Sequence, residues 1–335
     1  MKFSSAQGTA GEAEFIEKIF DKLAHLVGMN RKLSPDLQAR AIEELHEIPS
    51  RIEEDVEKIR QWLSKQQHLK VRFDDDYIVA FLRGCKYSLQ KAKKKIDFYF
   101  TIRTLAPEVF HDRDPFQKAI QEIVNAGCIL PLPNPDNKDG ARIIMWYMTN
   151  ANPETMPYVN LCLVFFMILD ILLKEDDNAI VSGVILWLEA TNYSEKYIPQ
   201  ATPTAMKKYF NCMEKAYPLR VKAVHVTNLP VCFEIFFNIV KTFSKSKIAQ
   251  RMFVFSDIKN FYQELPQHLL PKEFGGENGS IETIKKEWKK KLENYRKWFL
   301  ENRDYKSDES LRWGESRTTE NVFGIEGSFR TMEFD

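Results

Sequence analysis

Residues 217–255 read YPLRVKAVHVTNLPVCFEIFFNIVKTFSKSKIAQRMFVF, which indicates two short strands enclosing an amphipathic helix. The segment from Arg220 to Val226 alternates apolar and basic side chains, as a half-buried strand does. Asn228 and Pro230 end that strand and set the start of a helix. At about 100° per residue, one face of this helix carries six apolar side chains. They are Cys232, Ile235, Phe236, Ile239, Val240 and Phe243.

This helix is more apolar than an ordinary surface helix, because Phe233 and Phe237 widen its apolar face beyond half of the circumference. One explanation is that it packs flat on a sheet as part of the core. The other is that it forms a lid over an apolar cavity and can open to present its aromatic side chains to a membrane. Flanking cations favour the lid, because interfacial helices meet anionic head groups in this way. These cations are Arg220, Lys222, Lys241, Lys245, Lys247 and Arg251.

Several segments resemble the CRAL-TRIO lipid-binding family, in its tocopherol- and retinaldehyde-carrying branch. They are PLRVKAVHVTNLP (218–230), SKSKIAQR (244–251), LPQHLLPKEFGG (265–276) and DDDYIVAFLRGCKYSLQKAKKKID (74–97). The resemblance spans roughly residues 34 to 300, and residues 303–335 resemble the endings of insect members. It implies an α/β fold in which a helical N-terminal domain precedes a mostly parallel sheet, flanked by helices that enclose an apolar cavity.

The resemblance and the hydrophobic pattern together predict four regions. They are an N-terminal amphipathic extension (1–33), a helical domain (34–115), a lipid-binding domain (116–302) with a lid helix at 230–243, and a tail (303–335). Members of the family hold one hydrophobic molecule beneath a gate helix, and the tocopherol-transfer branch also binds phosphoinositide head groups. By the resemblance, the phosphoinositide site would comprise Arg220, Lys222, Lys247 and Arg251. An approximate alignment predicts as cavity wall Leu161, Phe165, Ile168, Leu186, Met213, Tyr217, Leu219, Val221, Phe233 and Phe236.

The hydrophobic pattern along the chain also predicts alternating strands and helices after Gly140, which is typical of a parallel sheet. The expected strands are 141–148, 180–188, 221–226 and 252–255, and the expected helices are 157–173, 202–216 and the lid. Before residue 115 the pattern predicts helices only, including an amphipathic one at 11–27. In the tail, apolar residues such as Phe323 are expected to lie along the surface.

Composition limits the classes of partner. The chain has 48 basic and 47 acidic residues and a net charge of +1, so contact with a membrane or a nucleic acid requires a local basic patch. Aromatic residues belong to the lid rather than being interleaved with the cations, which favours a membrane over a nucleic acid. Five widely spaced cysteines and no apolar leader predict a soluble protein of a reducing compartment, here the cytoplasm.

A catalytic site is not predicted. The six histidines form no H-E-x-x-H pair, so neither a metal site nor a cofactor is indicated. Ser182 and Gly183 are expected inside a strand rather than at a nucleophile elbow, and the glycines near Gly275 lack the lysine of a P-loop. His225 is expected to be a structural residue within a strand.

The sequence therefore predicts a monomeric carrier that binds one hydrophobic ligand, such as a retinoid, tocopherol or carotenoid, and exchanges it at phosphoinositide-containing membranes. Phe233 and Phe237 would contact acyl chains when the lid opens during a transient peripheral association. The alternative is a phosphoinositide-binding adaptor without transfer activity. The D-x-E-G turn of the family is replaced here by Trp187-Leu188-Glu189-Ala190. The segment Leu161–Leu169 lacks the serines that give polar contacts in tocopherol-binding members. A fully apolar ligand is therefore as compatible with the sequence as a tocopherol or a retinoid.

Overall fold

Five strands form one sheet in the order β1-β2-β3-β4-β5. Strand β1 (Ile129–Pro131) pairs antiparallel with β2 (Arg142–Tyr147). Strands β3 (Val184–Glu189), β4 (Val221–Thr227) and β5 (Met252–Phe255) then add in parallel. The computed structural model describes residues 32–72, 74–133, 140–243 and 249–324. The predicted mostly parallel sheet flanked by helices is confirmed, and the predicted helix at 11–27 lies outside the described residues.

Six helices precede the sheet in the described part of the chain. They are α1 (Pro35–Leu45), α2 (Ile52–Leu63), α3 (Asp75–Gly84), α4 (Leu89–Leu105), α5 (Pro107–Phe110) and α6 (Lys118–Ala126). Local sequence sets their starts: the Ser34 hydroxyl accepts from the Leu37 backbone N–H, and Pro35 occupies the first turn, where its missing N–H costs nothing.

The remaining helices alternate with the strands or follow them. They are α7 (Tyr158–Glu175), α8 (Asp177–Val181), α9 (Pro203–Ala216), α10 (Glu234–Phe243), α11 (Ile258–Glu264), α12 (Ile281–Asn294), α13 (Arg296–Asn302) and α14 (Thr319–Phe323). Helix α10 and the 3₁₀ turn Val231–Phe233 that precedes it occupy the segment that the sequence predicts as a lid, residues 230–243. We refer to residues 231–243 as the lid.

The two faces of the sheet pack against different layers. Ile143, Met145 and Trp187 face α11 and α12, where Phe261 and Ile284 complete a smaller core. The other face joins the main core, which includes most of α7 and the buried residues of α3 and α4. Because neighbouring residues of a strand point to opposite faces, β1, β2 and β3 contribute to both cores.

Two parts of the sheet differ from the sequence prediction. The strand expected from Ile180 begins at Val184, because Asp176 caps the short helix α8 and Gly183 then turns the chain with φ +93°. A Cβ on Gly183 would lie 2.4 Å from the Arg220 carbonyl oxygen, so this turn requires glycine. Ser182 and Gly183 therefore lie between a helix and a strand. Strand β1 was not predicted, because a strand of three residues has too little periodicity to detect.

The tail residues 303–324 pack along the helical domain and then against α9. The backbone N–H of Ser307 donates to the Phe100 carbonyl oxygen at 3.2 Å, and Arg312 and Arg317 bind the Asp97 carboxylate at 2.9 and 2.8 Å. Phe323, which the sequence analysis expected to be one of the apolar residues that anchor the tail, is almost fully buried in the main core. Residues 325–335 lie outside the described residues.

Candidate functional site

Several apolar side chains on the sheet face towards α7 are not fully covered by the helices above them. Leu186 and Leu188 lie in β3, the middle strand, yet both side chains remain partly exposed. Their neighbours Val224 in β4 and Trp146 in β2 also remain partly exposed. A central strand beneath a solid helical layer has no such exposure, because interiors are close-packed. This partial exposure indicates an unfilled apolar space beside the sheet, which we call the apolar cleft.

Further apolar residues around α7 and α9 pack against the main core and yet stay partly exposed, and we assign them to the same cleft. They are Tyr158 and Val159 at the start of α7, Tyr209 and Met213 in α9, and Leu219 before β4. Trp146 packs on Phe165 of α7 with ring centroids 5.1 Å apart, which places α7 over this face of the sheet. The cleft thus lies between the sheet, α7 and α9, and α9 in turn contacts the lid.

The residues predicted as cavity wall divide into three groups. Leu186, Met213 and Leu219 are partly exposed and border the cleft. Deeply buried members belong to the core around it: Leu161, Phe165, Ile168, Tyr217, Val221 and Phe233. The side chain of Phe236 lies outside the described residues. Since no ligand is present, the role of each residue in binding stays a prediction.

The lid presents a different set of side chains to the surface than the sequence pattern indicates. Phe233, predicted to contact acyl chains, is buried and stacks on Tyr193 with ring centroids 4.4 Å apart. Phe237 is partly buried, with the Lys241 ammonium 5.1 Å from its ring centroid. Among the described side chains of this segment, Val231 and Ile235 are 78% and 68% exposed. The 3₁₀ turn contributes to this difference, because it breaks the helical phase on which the prediction rests.

Three of the four predicted phosphoinositide-binding cations lie close together. The Arg220 guanidinium and the Lys222 ammonium each lie 3.5 Å from the same carboxylate oxygen of Glu44. The Arg251 guanidinium donates to the Val221 carbonyl oxygen at 2.6 Å, between these two residues in the sequence. Lys247 lies outside the described residues.

Helix α1 adds a fourth cation that sequence reasoning missed. Arg40 donates to the Ser182 hydroxyl at 3.0 Å and pairs with Glu44 at 3.3 Å. The spacing of Arg40 and Glu44 marks them as neighbours on α1, but nothing local indicates that α1 lies beside the start of β4. We call Arg40, Arg220, Lys222 and Arg251 the basic cluster.

The basic cluster carries more positive charge than Glu44 neutralises. Burial lowers the pKa of Arg220, and the like charges of Arg40 and Arg251 lower it further against the attraction of Glu44. Burial and the neighbouring Arg220 likewise lower the pKa of Lys222. The Arg220 Nε atom is sealed from water and has no hydrogen-bond partner among the described residues. Such a cluster favours a bound anion, because the anion would relieve the repulsion among the cations.

A buried ionic network fixes the core beside the cleft. The Asp170 carboxylate accepts hydrogen bonds from Arg103, Arg113, Tyr99 and Tyr217, with the Tyr217 hydroxyl at 2.7 Å. Burial alone would raise the pKa of Asp170, but Arg103 and Arg113 lower it. Tyr217, predicted as cavity wall, thus directs its hydroxyl into this network. The network joins α4, the loop after α5, α7 and the chain before β4.

Trp187, one of the departures from the family motif, lies on the sheet face away from the cleft. It packs against Phe261 with ring centroids 5.0 Å apart, and its indole N–H donates to the Thr227 hydroxyl at 3.0 Å. The neighbouring Glu189 accepts from the Thr191 hydroxyl and from the Asn228 amide, so it organises the turn after β3. The Trp187 side chain therefore belongs to the smaller core.

The described residues offer little for metal or nucleophilic chemistry. They contain no group of three or more His, Cys, Asp or Glu side chains that could hold a metal ion. Burial raises the pKa of Cys128 and of Cys162 to about 12, so these thiols stay protonated. His225 packs among Phe253, Phe255 and Phe261 in the sheet. Across the same residues, every helix is too short or too polar to cross a lipid bilayer.

Comparison with known proteins identifies the family. Residues 126–276 match the model of the CRAL/TRIO domain, and residues 48–120 match that of the Pinta-like, UBA domain. Alpha-tocopherol transfer protein-like from Mus musculus is 30% identical over 253 residues, which cover 75% of this chain and 73% of that protein. Clavesin-1 from Rattus norvegicus is 26% identical over 76% of this chain and 72% of that protein. The crystal structure of Sfh5 aligns at 13% identity over 76% of this chain and 92% of that chain, with a TM-score of 0.42. The chain belongs to the CRAL/TRIO domain family of lipid-binding proteins.

Proposed function

We propose that this protein carries one hydrophobic ligand in the apolar cleft and exchanges it at phosphoinositide-containing membranes when the lid opens. The observation that carries the proposal is the partial exposure of Leu186 and Leu188 in the central strand. Exposure of apolar side chains to water at such a position costs free energy, and a bound apolar molecule would remove that cost by covering them. A relative named alpha-tocopherol transfer protein-like supports transfer as the activity.

Burial of the ligand provides the binding energy. Removing apolar surface from water contributes on the order of 25 cal/mol per Å², so a ligand that buries several hundred Å² is held without a covalent bond. Release into water would expose that surface again. We therefore infer that release occurs at a membrane, where the acyl chains replace the cleft as the apolar environment.

The basic cluster and the lid together suit contact with an anionic membrane. Strands β4 and β5 are parallel, so the connection between them, which includes the lid, runs back across the sheet. Val231 lies just after the end of β4, at the opposite edge of the sheet from Arg220 and Arg251, and the connection that includes the lid leads from one edge to the other. In the proposed mechanism the cluster binds phosphoinositide phosphates while Val231 and Ile235 enter the acyl region first. Phe237 follows as the lid opens, and Phe233 leaves Tyr193.

The same proposal assigns no catalytic role to any side chain and describes a cytoplasmic monomer that associates with membranes transiently. It needs no cofactor, because the ligand is bound and released unchanged. Contacts with the membrane stabilise the open position of the lid relative to the closed one, because the closed state lacks those contacts.

The deciding experiment compares ligand transfer by Lys222→Ala/Arg251→Ala with that of the unmodified protein. Phosphatidylcholine vesicles with and without a phosphoinositide would carry retinol, α-tocopherol or β-carotene. We expect the variant to lose phosphoinositide-stimulated transfer while it retains ligand binding. The control is Lys286→Ala/Lys297→Ala, which removes the same charge from side chains that are 74% and 89% exposed on α12 and α13.

Unchanged transfer by the Lys222→Ala/Arg251→Ala variant would contradict the proposal. Binding of the unmodified protein to phosphoinositide vesicles without transfer of any lipid would instead indicate a membrane adaptor. Thermal unfolding of each variant shows whether loss of the Arg251 contact with the Val221 carbonyl oxygen weakens the fold.

A further inference from the structure

Glu189 is the last residue of β3, and its side chain is buried at the edge of the sheet where β3 and β4 end. The residue is only 2% exposed. In the described chain its hydrogen bonds come from hydroxyl and amide groups, and no basic side chain forms an ion pair with it. A buried carboxylate without a counter-charge depends on such donors, because leaving it unsatisfied is costly.

The donors reach Glu189 from the turns that follow β3 and β4. The Thr191 hydroxyl and backbone N–H donate to one carboxylate oxygen at 2.5 and 3.3 Å. The Asn228 side-chain amide donates to the same oxygen at 2.8 Å. Hydrogen bonds to a charged acceptor are about twice as strong as neutral ones. A single carboxylate therefore joins these two turns.

Both turns are connected to the lid. Asn228 lies three residues before Val231, where the lid begins, and its backbone is left-handed with φ +55°. Asparagine adopts this conformation more readily than most residues, and here it bends the chain out of β4. Tyr193, two residues after Thr191, provides the ring on which Phe233 of the lid stacks at 4.4 Å between centroids. The carboxylate thus fixes both the entry of the chain into the lid and the loop on which the lid rests.

We propose that Glu189 is a positioning residue that holds the lid closed, and that Asn228 is the hinge about which the lid opens. This inference rests on the proposed carrier function and adds a control of its release step. Hinges are a few loop residues that absorb the change in backbone angles. Rotation of the backbone at Asn228 moves its amide away from the carboxylate, so opening breaks this hydrogen bond.

Hydrogen exchange of the backbone amides of residues 231–243, followed by mass spectrometry, measures opening of the lid without any ligand. Asn228→Gly keeps the left-handed backbone without strain and removes the amide. We expect about tenfold faster exchange in the lid, as loss of one hydrogen bond to a buried carboxylate predicts. Spontaneous release of bound retinol or α-tocopherol should accelerate by the same factor.

The matched control is Asn192→Gly, in the turn after β3. Asn192 is also left-handed, with φ +58°, but it is exposed and its amide has no hydrogen-bond partner among the described residues. This variant removes the same side chain from the same backbone conformation at the same edge of the sheet. It should leave exchange in the lid and release of the ligand unchanged.

A reversal of sign distinguishes positioning of the lid from a general loss of stability. Glu189→Gln alone should speed exchange in the lid, because it weakens the acceptor. Asn228→Asp should speed exchange further, since two carboxylates then repel each other. In Glu189→Gln/Asn228→Asp the donor and the acceptor exchange sides, so exchange should be slower than in Asn228→Asp. Thermal unfolding of each variant identifies any that lose the fold as a whole.

The outcomes separate the hinge from the carrier function. Equal exchange in Asn228→Gly and Asn192→Gly, or the absence of the reversal in the double variant, would overturn the role of Glu189 and leave the carrier function standing. The expected exchange in a protein that transfers neither retinol, α-tocopherol nor β-carotene would sustain the hinge and count against the carrier function.

Discussion

Leu186 and Trp187 are neighbours in β3 but serve opposite faces of the sheet: Leu186 borders the apolar cleft, whereas Trp187 is fully buried in the smaller core. Because of this alternation, substitutions at neighbouring positions of β3 can test whether the space beside one face of the sheet is unfilled. We expect Leu186→Trp to fold with little change in melting temperature, because the larger side chain enters existing space. In a solid core the same change would cost about 1–3 kcal/mol from overpacking.

The same substitution should weaken ligand binding at least tenfold, because the indole competes with the ligand for space. Trp187→Phe is the matched control on the other face. It should lower the melting temperature by removing the hydrogen bond to Thr227 while ligand affinity stays unchanged. Titration with a fluorescent retinoid and thermal unfolding supply both measurements. A large loss of stability in Leu186→Trp would show that the cleft is closed.

Phe233→Ala is expected to speed ligand release. The substitution removes the ring that packs on Tyr193 and leaves a gap in the closed lid, so the open state becomes less costly. We predict at least a tenfold faster transfer to acceptor vesicles in stopped-flow fluorescence. Val231→Ala, on the exposed side of the same lid, should instead slow membrane-stimulated transfer and leave spontaneous release unchanged. Equal rates for the two variants would argue against a lid that closes through Phe233.

Asp170→Asn should be strongly destabilising. The substitution leaves the Arg103 and Arg113 guanidinium groups buried without a counter-charge, which costs about 3–5 kcal/mol. Urea unfolding monitored by circular dichroism measures the loss. Glu154→Gln is the control, because its ion pair with Lys196 is exposed to water and contributes little to stability. A similar loss of stability in the two variants would mean that the network around Asp170 does not stabilise this part of the core.

Acid should loosen the tail before it unfolds the rest of the protein. Burial opposes ionisation of Glu309, but hydrogen bonds from Arg312 and from the Arg317 backbone N–H lower the pKa of Glu309 to about 2. Because an unfolded glutamate has a pKa of about 4.3, the stabilisation is complete above that pH and is lost as the pH falls towards 2. Asp97, whose pKa burial would raise but Arg312 and Arg317 lower, acts in the same direction.

Hydrogen exchange corrected for intrinsic rates tests this expectation. Amide protection of Arg317 should fall between pH 5 and pH 3 in the unmodified protein. In Glu309→Gln it should be low throughout, because the amide side chain replaces the titrating acceptor. Constant protection down to pH 3 would show that Glu309 does not hold the tail.

The sheet was predictable because its strands carry continuous apolar runs, and β5 was predicted with its observed bounds. Arg220, Lys222 and Arg251 were identified from the resemblance to the family, and they lie together because parallel strands begin at one edge of a sheet. Arg40 was missed because it reaches the cluster through the packing of α1 and α8, which no local pattern reveals.

Helix α9 borders the cleft on one side and receives the end of the described tail on the other. Lys207 and Lys215 of α9 donate to the carbonyl oxygens of Gly324 and Val322 at 2.9 and 2.6 Å. A displacement of the carboxy-terminal segment would therefore also displace α9, the helix that borders the cleft. A protein fused after residue 324, or an affinity tag that immobilises the chain there, would therefore be expected to change which ligand is bound. This would hold even though the attachment point is far from the lid in the sequence.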